Sequence, residues 1–136
     1  SEMCIRDRLL TDKNGRIDLA RNHTILGKER HDIGRVEGDK LSVSYPVRAI
    51  RTDQYLYVKN FIPSRWPVGN PEYGLLNCDN SPTKSHLISL KDDEKMRNYY
   101  DMSFGKRTEE ELYNIIDDPD CLINLANNIN YIEIII

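Results

Sequence analysis

The chain has 136 residues, 39% of them hydrophobic and 30% charged, which is ordinary for one globular domain. No apolar run approaches the roughly 20 residues of a membrane helix, so we expect no membrane partner. The net charge is −3, with basic residues ahead 13 to 9 in residues 1–68 and acidic residues ahead 13 to 6 in residues 69–136. The basic half could attract an anionic ligand, although two solvated surfaces of one domain are the simpler interpretation. No basic cluster with interleaved aromatics appears, which excludes a typical nucleic-acid-binding protein.

The cysteines and the first residues carry little structural information. Cys4, Cys78 and Cys121 are far apart and form no Cys-x-x-Cys pair, which argues against a zinc knuckle or a dithiol redox site. One disulfide is possible, but three cysteines leave its partners open. Residues 1–8 resemble a translated sequencing-adapter remnant, so we exclude them and treat residues 9–136 as the domain. We therefore expect the natural N-terminus to lie upstream of Leu9.

Alternating side chains predict a β-hairpin in the first half of the chain. Residues Val43–Ile50 alternate between apolar and polar, as a half-buried strand does, and Pro46 favours an edge position. Tyr55–Phe61 predicts a second strand, joined to the first by the four-residue turn Arg51–Gln54. Upstream, Thr24–Leu26 predicts a short buried strand, which is followed by a charged segment and a loop with two glycines.

The second half of the chain predicts helices and one more strand. Ser81 followed by Pro82 is typical of a helix start, and an apolar stripe begins there. A second stripe ends at Gly105, so one long helix and two short ones are both possible. Thr108 with Glu111 fits a helix capping box, but the β-branched residues and turn that follow favour a strand over residues 111–116. Residues 127–136 look like the start of an amphipathic helix.

These elements together predict an α+β fold. We expect a small antiparallel sheet of three or four strands with a packed helix. That helix should cover one face of the sheet through Leu87, Ile88 and Leu90.

Few residues could carry chemistry. Of the three histidines, His31 is surrounded by charged residues just after a predicted strand, where binding residues often lie. A solvated cluster of ion pairs is the alternative interpretation. Arg48 and Arg51 could hold an anion through their guanidinium groups, or could pair with carboxylates of the adjacent strand. No Gly-x-Ser-x-Gly elbow, His-Glu-x-x-His helix or phosphate loop is present.

A series of short blocks, in order along the chain, resembles the C-terminal part of bacterial sulfatases of the N-sulphoglucosamine sulphohydrolase type. The series includes a C-terminal signature in which Glu-Leu-Tyr precedes Asp-Pro and then Asn-Leu-Ala. The family usually has an acidic residue two positions after that proline, where this chain has Cys121. The blocks are Gly27–Asp32, Tyr45–Thr52, Tyr55–Tyr57, Arg65–Gly69, Ser81–Lys84, Gly105–Tyr113, Asp118–Pro119 and Asn124–Ala126.

The resemblance implies the C-terminal subdomain of an α/β, alkaline-phosphatase-like sulfatase. Such enzymes use a formylglycine made in a Cys-x-Pro-x-Arg motif and a calcium ion held by carboxylates. None of the three cysteines lies in that motif, so we expect no catalytic residue, no metal and no cofactor in this chain. Calcium and formylglycine would belong to a missing N-terminal catalytic domain. The resemblance further implies that His31, Arg30 and Arg48 bind substrate at the border of the pocket.

Two functions are therefore expected from the sequence. The first is a C-terminal sulfatase fragment, inactive alone, whose parent hydrolyses sulfated sugars such as glycosaminoglycans in a periplasmic or extracellular compartment. Its partners would be the missing catalytic domain and the sulfated carbohydrate. The alternative is a non-catalytic module that binds an acidic glycan or a partner protein.

Overall fold

A computed structural model describes residues 22–29, 36–37, 40–41, 43–71 and 81–135. The α+β class is confirmed within these ranges. The strands are β1 His23–Lys28, β2 Val36–Glu37, β3 Lys40–Leu41, β4 Val47–Thr52, β5 Tyr55–Asn60 and β6 Glu110–Asn114. The helices are α1 Pro82–Ser89, α2 Arg97–Phe104 and α3 Ile132–Ile135, with 3₁₀ turns at Leu90–Asp92 and Ile129–Tyr131.

Four strands form one antiparallel sheet in the order β1-β4-β5-β6. Because side chains alternate across a strand, the register assigns each residue to one of two faces. The Glu111 face carries Glu111 with its cross-strand partner Val58 and the next partner Ala49. The Leu112 face carries the apolar row Ile25–Ile50–Tyr57–Leu112, one residue from each strand.

The predicted hairpin is present, with shifted ends. β4 begins at Val47 rather than Val43, because the chain at residues 43–46 contains a proline that has no N–H to donate. The strand runs on through Thr52, so the turn shrinks to Asp53 and Gln54. The Thr52 hydroxyl fixes this turn by accepting the Tyr55 N–H at 2.9 Å and the Gln54 N–H at 3.3 Å.

The strand at Thr24–Leu26 exists, but the prediction that it is buried is wrong. Every residue of β1 is exposed, including Ile25 at 67% and Leu26 at 49%. The reason is position, since among the described strands β1 is the outer one and pairs only with β4. The two-stranded β2–β3 hairpin occupies part of the region predicted as a glycine loop.

β6 is a strand rather than a capped helix because its backbone N–H and C=O groups find partners on both sides. One edge pairs with β5, and the outer edge bonds to Asn124 and Leu125. The Leu112 N–H donates to Asn124 Oδ1 at 2.9 Å, and the Leu125 N–H donates to the Leu112 carbonyl at 2.7 Å. Asn124 therefore imitates a further strand at an edge that would otherwise invite aggregation. Leu112 has no solvent exposure and is the most buried large side chain described.

Two short helices replace the single long alternative. The Ser81 hydroxyl accepts the Lys84 N–H at 3.1 Å and caps α1 as predicted, and α2 ends at Gly105. A Cβ at Gly105 would collide with the Asp101 carbonyl, which explains the glycine. Of the three residues expected to cover the sheet, only Leu90 is buried, and it lies in the 3₁₀ turn after α1. The close backbone contacts of α1 are with this turn and with α2.

Candidate functional site

A cleft of about 680 Å³ lies on the Glu111 face, and we call it the sheet cleft. Its floor is aliphatic, formed by Val47 of β4 and by Leu56 and Val58 of β5. The loop at residues 67–68, the side chain of Met102 and the segment 120–122 form its walls. An apolar floor with converging polar groups is the usual form of a ligand site.

Three buried polar side chains lie side by side in this cleft. Asn60, Glu111 and Tyr113 are only 2%, 8% and 7% exposed. Asn60 Nδ2 donates to Glu111 Oε1 at 2.6 Å, and the Tyr113 hydroxyl donates to Glu111 Oε2 at 2.5 Å. Asn60 Nδ2 also donates to the Thr108 carbonyl at 2.8 Å. Because these groups satisfy one another, they fix the shape of the cleft rather than offering free hydrogen-bonding positions.

Two groups of the cleft, the Tyr113 phenol and the Cys121 thiol, have raised pKa values and so favour their neutral forms. Burial, and then its hydrogen bond to Glu111, raises the pKa of the Tyr113 phenol. Burial, and then the charges of Asp118 and Asp120, raises the pKa of the Cys121 thiol. A thiolate is the reactive form of cysteine, so a raised pKa makes Cys121 a poor nucleophile at neutral pH. The cleft is therefore better suited to binding than to covalent chemistry.

The predicted substrate-binding residues are not brought together in the cleft. Arg48 lies on the Leu112 face, where its guanidinium forms an ion pair with Glu29 just beyond β1. This is the alternative that the sequence left open, pairing with a carboxylate next to the adjacent strand. Arg30 and His31 lie outside the described residues. Arg51 shares the Glu111 face, level with Leu56 and Tyr113.

Sequence reasoning missed the residues that do line the cleft. Alternation within Tyr55–Asn60 places Leu56, Val58 and Asn60 on one face, and this signal was available. What alternation does not give is the pairing of β5 with β6, separated by some 50 residues, which brings Asn60 to Glu111 and Tyr113.

The described ranges contain no group of three or more His, Cys, Asp or Glu side chains arranged to hold a metal ion. Among the same residues, no helix has the length and apolar character needed to cross a membrane. Neither a protein-family model nor a curated protein sequence matches the chain.

Proposed function

We propose that this chain is the C-terminal portion of a sulfatase whose catalytic machinery lies in a separate N-terminal domain. The proposal rests on the ordered sequence blocks that resemble this family. Its main structural support is that three of the blocks supply paired strands of one sheet: Tyr45–Thr52 contains all of β4, Tyr55–Tyr57 begins β5 and Gly105–Tyr113 contains most of β6. A small antiparallel sheet with helices is also what the resemblance implies.

Signature residues after the helices have definite contacts in this unit. Glu109 and Glu110 accept hydrogen bonds from Lys59 at 2.8 and 3.0 Å, which join β6 to β5. The Asp118 carboxylate accepts the N–H groups of residues 122 and 123 at 3.1 and 2.8 Å, and so closes the turn after β6. Asn124 covers the β6 edge. Each of these residues therefore makes a contact that stabilises the fold, as is expected of residues in a subdomain signature.

The parent enzyme would hydrolyse sulfated sugars, with glycosaminoglycans as the expected class, in a periplasmic or extracellular compartment. In this proposal Arg30, His31 and Arg48 approach the substrate at the border of the pocket. Arg48 would then have to exchange its Glu29 partner for a sulfate. Replacement His31→Ala in the reassembled enzyme should lower kcat/KM on a sulfated sugar about tenfold, or ~1.4 kcal/mol of transition-state stabilisation. An unchanged kcat/KM would indicate that His31 is a surface residue that does not bind substrate.

The deciding experiment is the DNA sequence upstream of the codon for Leu9. An open reading frame that encodes Cys-x-Pro-x-Arg and an Asp-Asp pair supports the proposal, and a genuine start codon close to Ser1 would overturn it. The purified 136-residue chain should release no sulfate from an aryl sulfate, because it offers no aldehyde-hydrate nucleophile. Sulfate release above a heat-killed control would contradict the assignment of catalysis to another domain.

A second function is favoured by the sheet cleft itself. The cleft combines an aliphatic floor with the basic residues Lys28 and Arg107, which suits a non-catalytic module that binds an acidic glycan. The same upstream DNA separates the two functions, since a start codon near Ser1 favours the module.

A further inference from the structure

The two ends of the sheet cleft, along the strand direction, carry different charged side chains. At one end, Lys28 of β1 is level with Val47, and Val47 is level with Asn60 of β5. Arg107 lies at the same end, because the neighbouring Thr108 carbonyl accepts from Asn60 Nδ2. Both basic residues line the cleft.

The opposite end of the cleft carries both acidic and basic side chains, because Arg51 of β4 is level with Leu56 there. Asp120 lines the cleft beside Cys121, beyond the C-terminal end of β6. The charges of Asp118 and Asp120 both act on the Cys121 thiol and raise its pKa, and the charge of Arg51 acts in the opposite direction. Arg107 therefore precedes one end of β6, and Asp120 follows the other.

The two basic side chains have no acidic partner among the described residues. Arg107 donates one hydrogen bond, from Nη2 to the Met102 carbonyl at 3.0 Å, and forms no ion pair there. Lys28 is exposed and likewise lacks an ion pair within the described ranges. This distinguishes them from Lys59 and Arg48, whose charges are matched by glutamates. Unmatched, solvent-accessible cations at the rim of a cleft are available for an anionic ligand.

We propose that the sheet cleft binds an acidic oligosaccharide, with Lys28 and Arg107 contacting its anionic groups and Asp120 accepting hydrogen bonds from its hydroxyls. A sugar matches the three parts of the cleft: its C–H face lies over the aliphatic floor, its sulfate or carboxylate groups meet the basic end, and its free hydroxyls meet a carboxylate. The choice of a sulfated sugar rests on the proposed function. The site is distinct from Arg48, which lies on the Leu112 face.

The span of the sheet sets the size of the ligand. Strands β1 and β6 are three strand spacings apart, roughly 14 Å, so Lys28 and Arg107 approach the cleft from opposite sides. A single sulfate ion is too small to contact both. An oligosaccharide with two anionic groups should therefore bind more tightly than inorganic sulfate or a monosulfated sugar.

The test is calorimetric titration of the 136-residue chain with a heparin-derived tetrasaccharide at a fixed, near-physiological salt concentration. Lys28→Gln and Arg107→Gln should each weaken binding about fivefold. Lys95→Gln removes the same charge from an exposed position outside the cleft and should leave binding unchanged. The desulfated tetrasaccharide should bind more weakly than the sulfated one.

Asp120→Asn separates a specific site from general charge attraction. Removing an acidic group strengthens non-specific binding of a polyanion, whereas loss of a hydroxyl acceptor weakens specific binding. We expect weaker binding. Tighter binding by Asp120→Asn, equal losses in Lys28→Gln and Lys95→Gln, or no binding by the unmodified chain would each overturn the proposal. Such a failure would not affect the sulfatase assignment, which the upstream DNA decides independently.

Discussion

Replacing Asn124 by alanine should open the outer edge of the sheet. The Asn124 side chain makes four hydrogen bonds: Oδ1 accepts the N–H groups of Leu112 and Ala126 at 2.9 and 3.0 Å, and Nδ2 donates to Thr108 Oγ1 and the Glu110 carbonyl at 3.0 and 3.1 Å. Only the bond to Leu112 is partly buried. Water can replace the other three partners at little cost.

The expected loss is therefore set mainly by the Leu112 amide. A donor left half-buried without an acceptor costs about 1–2 kcal/mol, and the three exposed bonds together add a few tenths. We expect a total near 2 kcal/mol, which corresponds to a change of about thirtyfold in a local opening equilibrium. Because Leu125 donates to the Leu112 carbonyl, its amide should also lose protection.

Amide hydrogen exchange of the 136-residue chain measures this directly. In Asn124→Ala, the Leu112 and Leu125 amides should exchange about thirtyfold faster, while the Asn60 amide, bound to the Glu109 carbonyl at 2.8 Å, should change much less. Asn128→Ala is the matched control, because within the described ranges the Asn128 side chain makes one hydrogen bond, accepting the Asn130 N–H at 3.1 Å. Unchanged exchange at Leu112 in Asn124→Ala would refute the proposed edge cover.

Two further outcomes follow from burial. Leu112→Ala should lower the free energy of unfolding by about 2–5 kcal/mol, whereas Ile25→Ala, at a site 67% exposed, should change it by less than ~0.5 kcal/mol. Urea titration measures both values. Equal losses in the two variants would contradict the difference in burial. The Tyr113 phenol, whose pKa is raised, should ionise only above the ordinary tyrosine value of 10.0, so its stabilisation is complete below pH 10 and declines as the pH rises further. Absorbance at alkaline pH, compared with Tyr113→Phe, measures this, and ionisation of Tyr113 at or below pH 10 would be inconsistent with the buried hydrogen bond.

Local signals in the sequence predicted much of the fold. Alternation located β4 and β5, and the Ser81-Pro82 pair located the start of α1, because backbone geometry and capping depend on nearby residues. Burial was predicted less well. Thr24–Leu26 is apolar enough for a core strand, but its exposure depends on being the outer strand, which is a property of the whole sheet.

The candidate site was harder to predict than the fold because it depends on long-range register. A density of charge around His31 is visible in the sequence, whereas the grouping of Lys28, Arg107 and Asp120 appears only after β1, β4, β5 and β6 are aligned. For Arg48, the strand β4 was predicted correctly but the contacts of the side chain were not. Its ion pair with Glu29 and its placement on the Leu112 face depend on how β4 pairs with β1.

Apolar burial is uneven across the four-stranded sheet, and the residues to be replaced in the binding experiments lie where little apolar area is buried. Along the Leu112 face, exposure rises from 0% at Leu112 to 43% at Ile50 and 67% at Ile25. Packing therefore stabilises the β6 side most strongly, while β1 contributes little buried apolar area. Lys28 lies on that tolerant strand, and Arg107 is exposed before β6 begins. Replacing either should leave the fold intact, so a loss of glycan binding would report on the ligand contact itself.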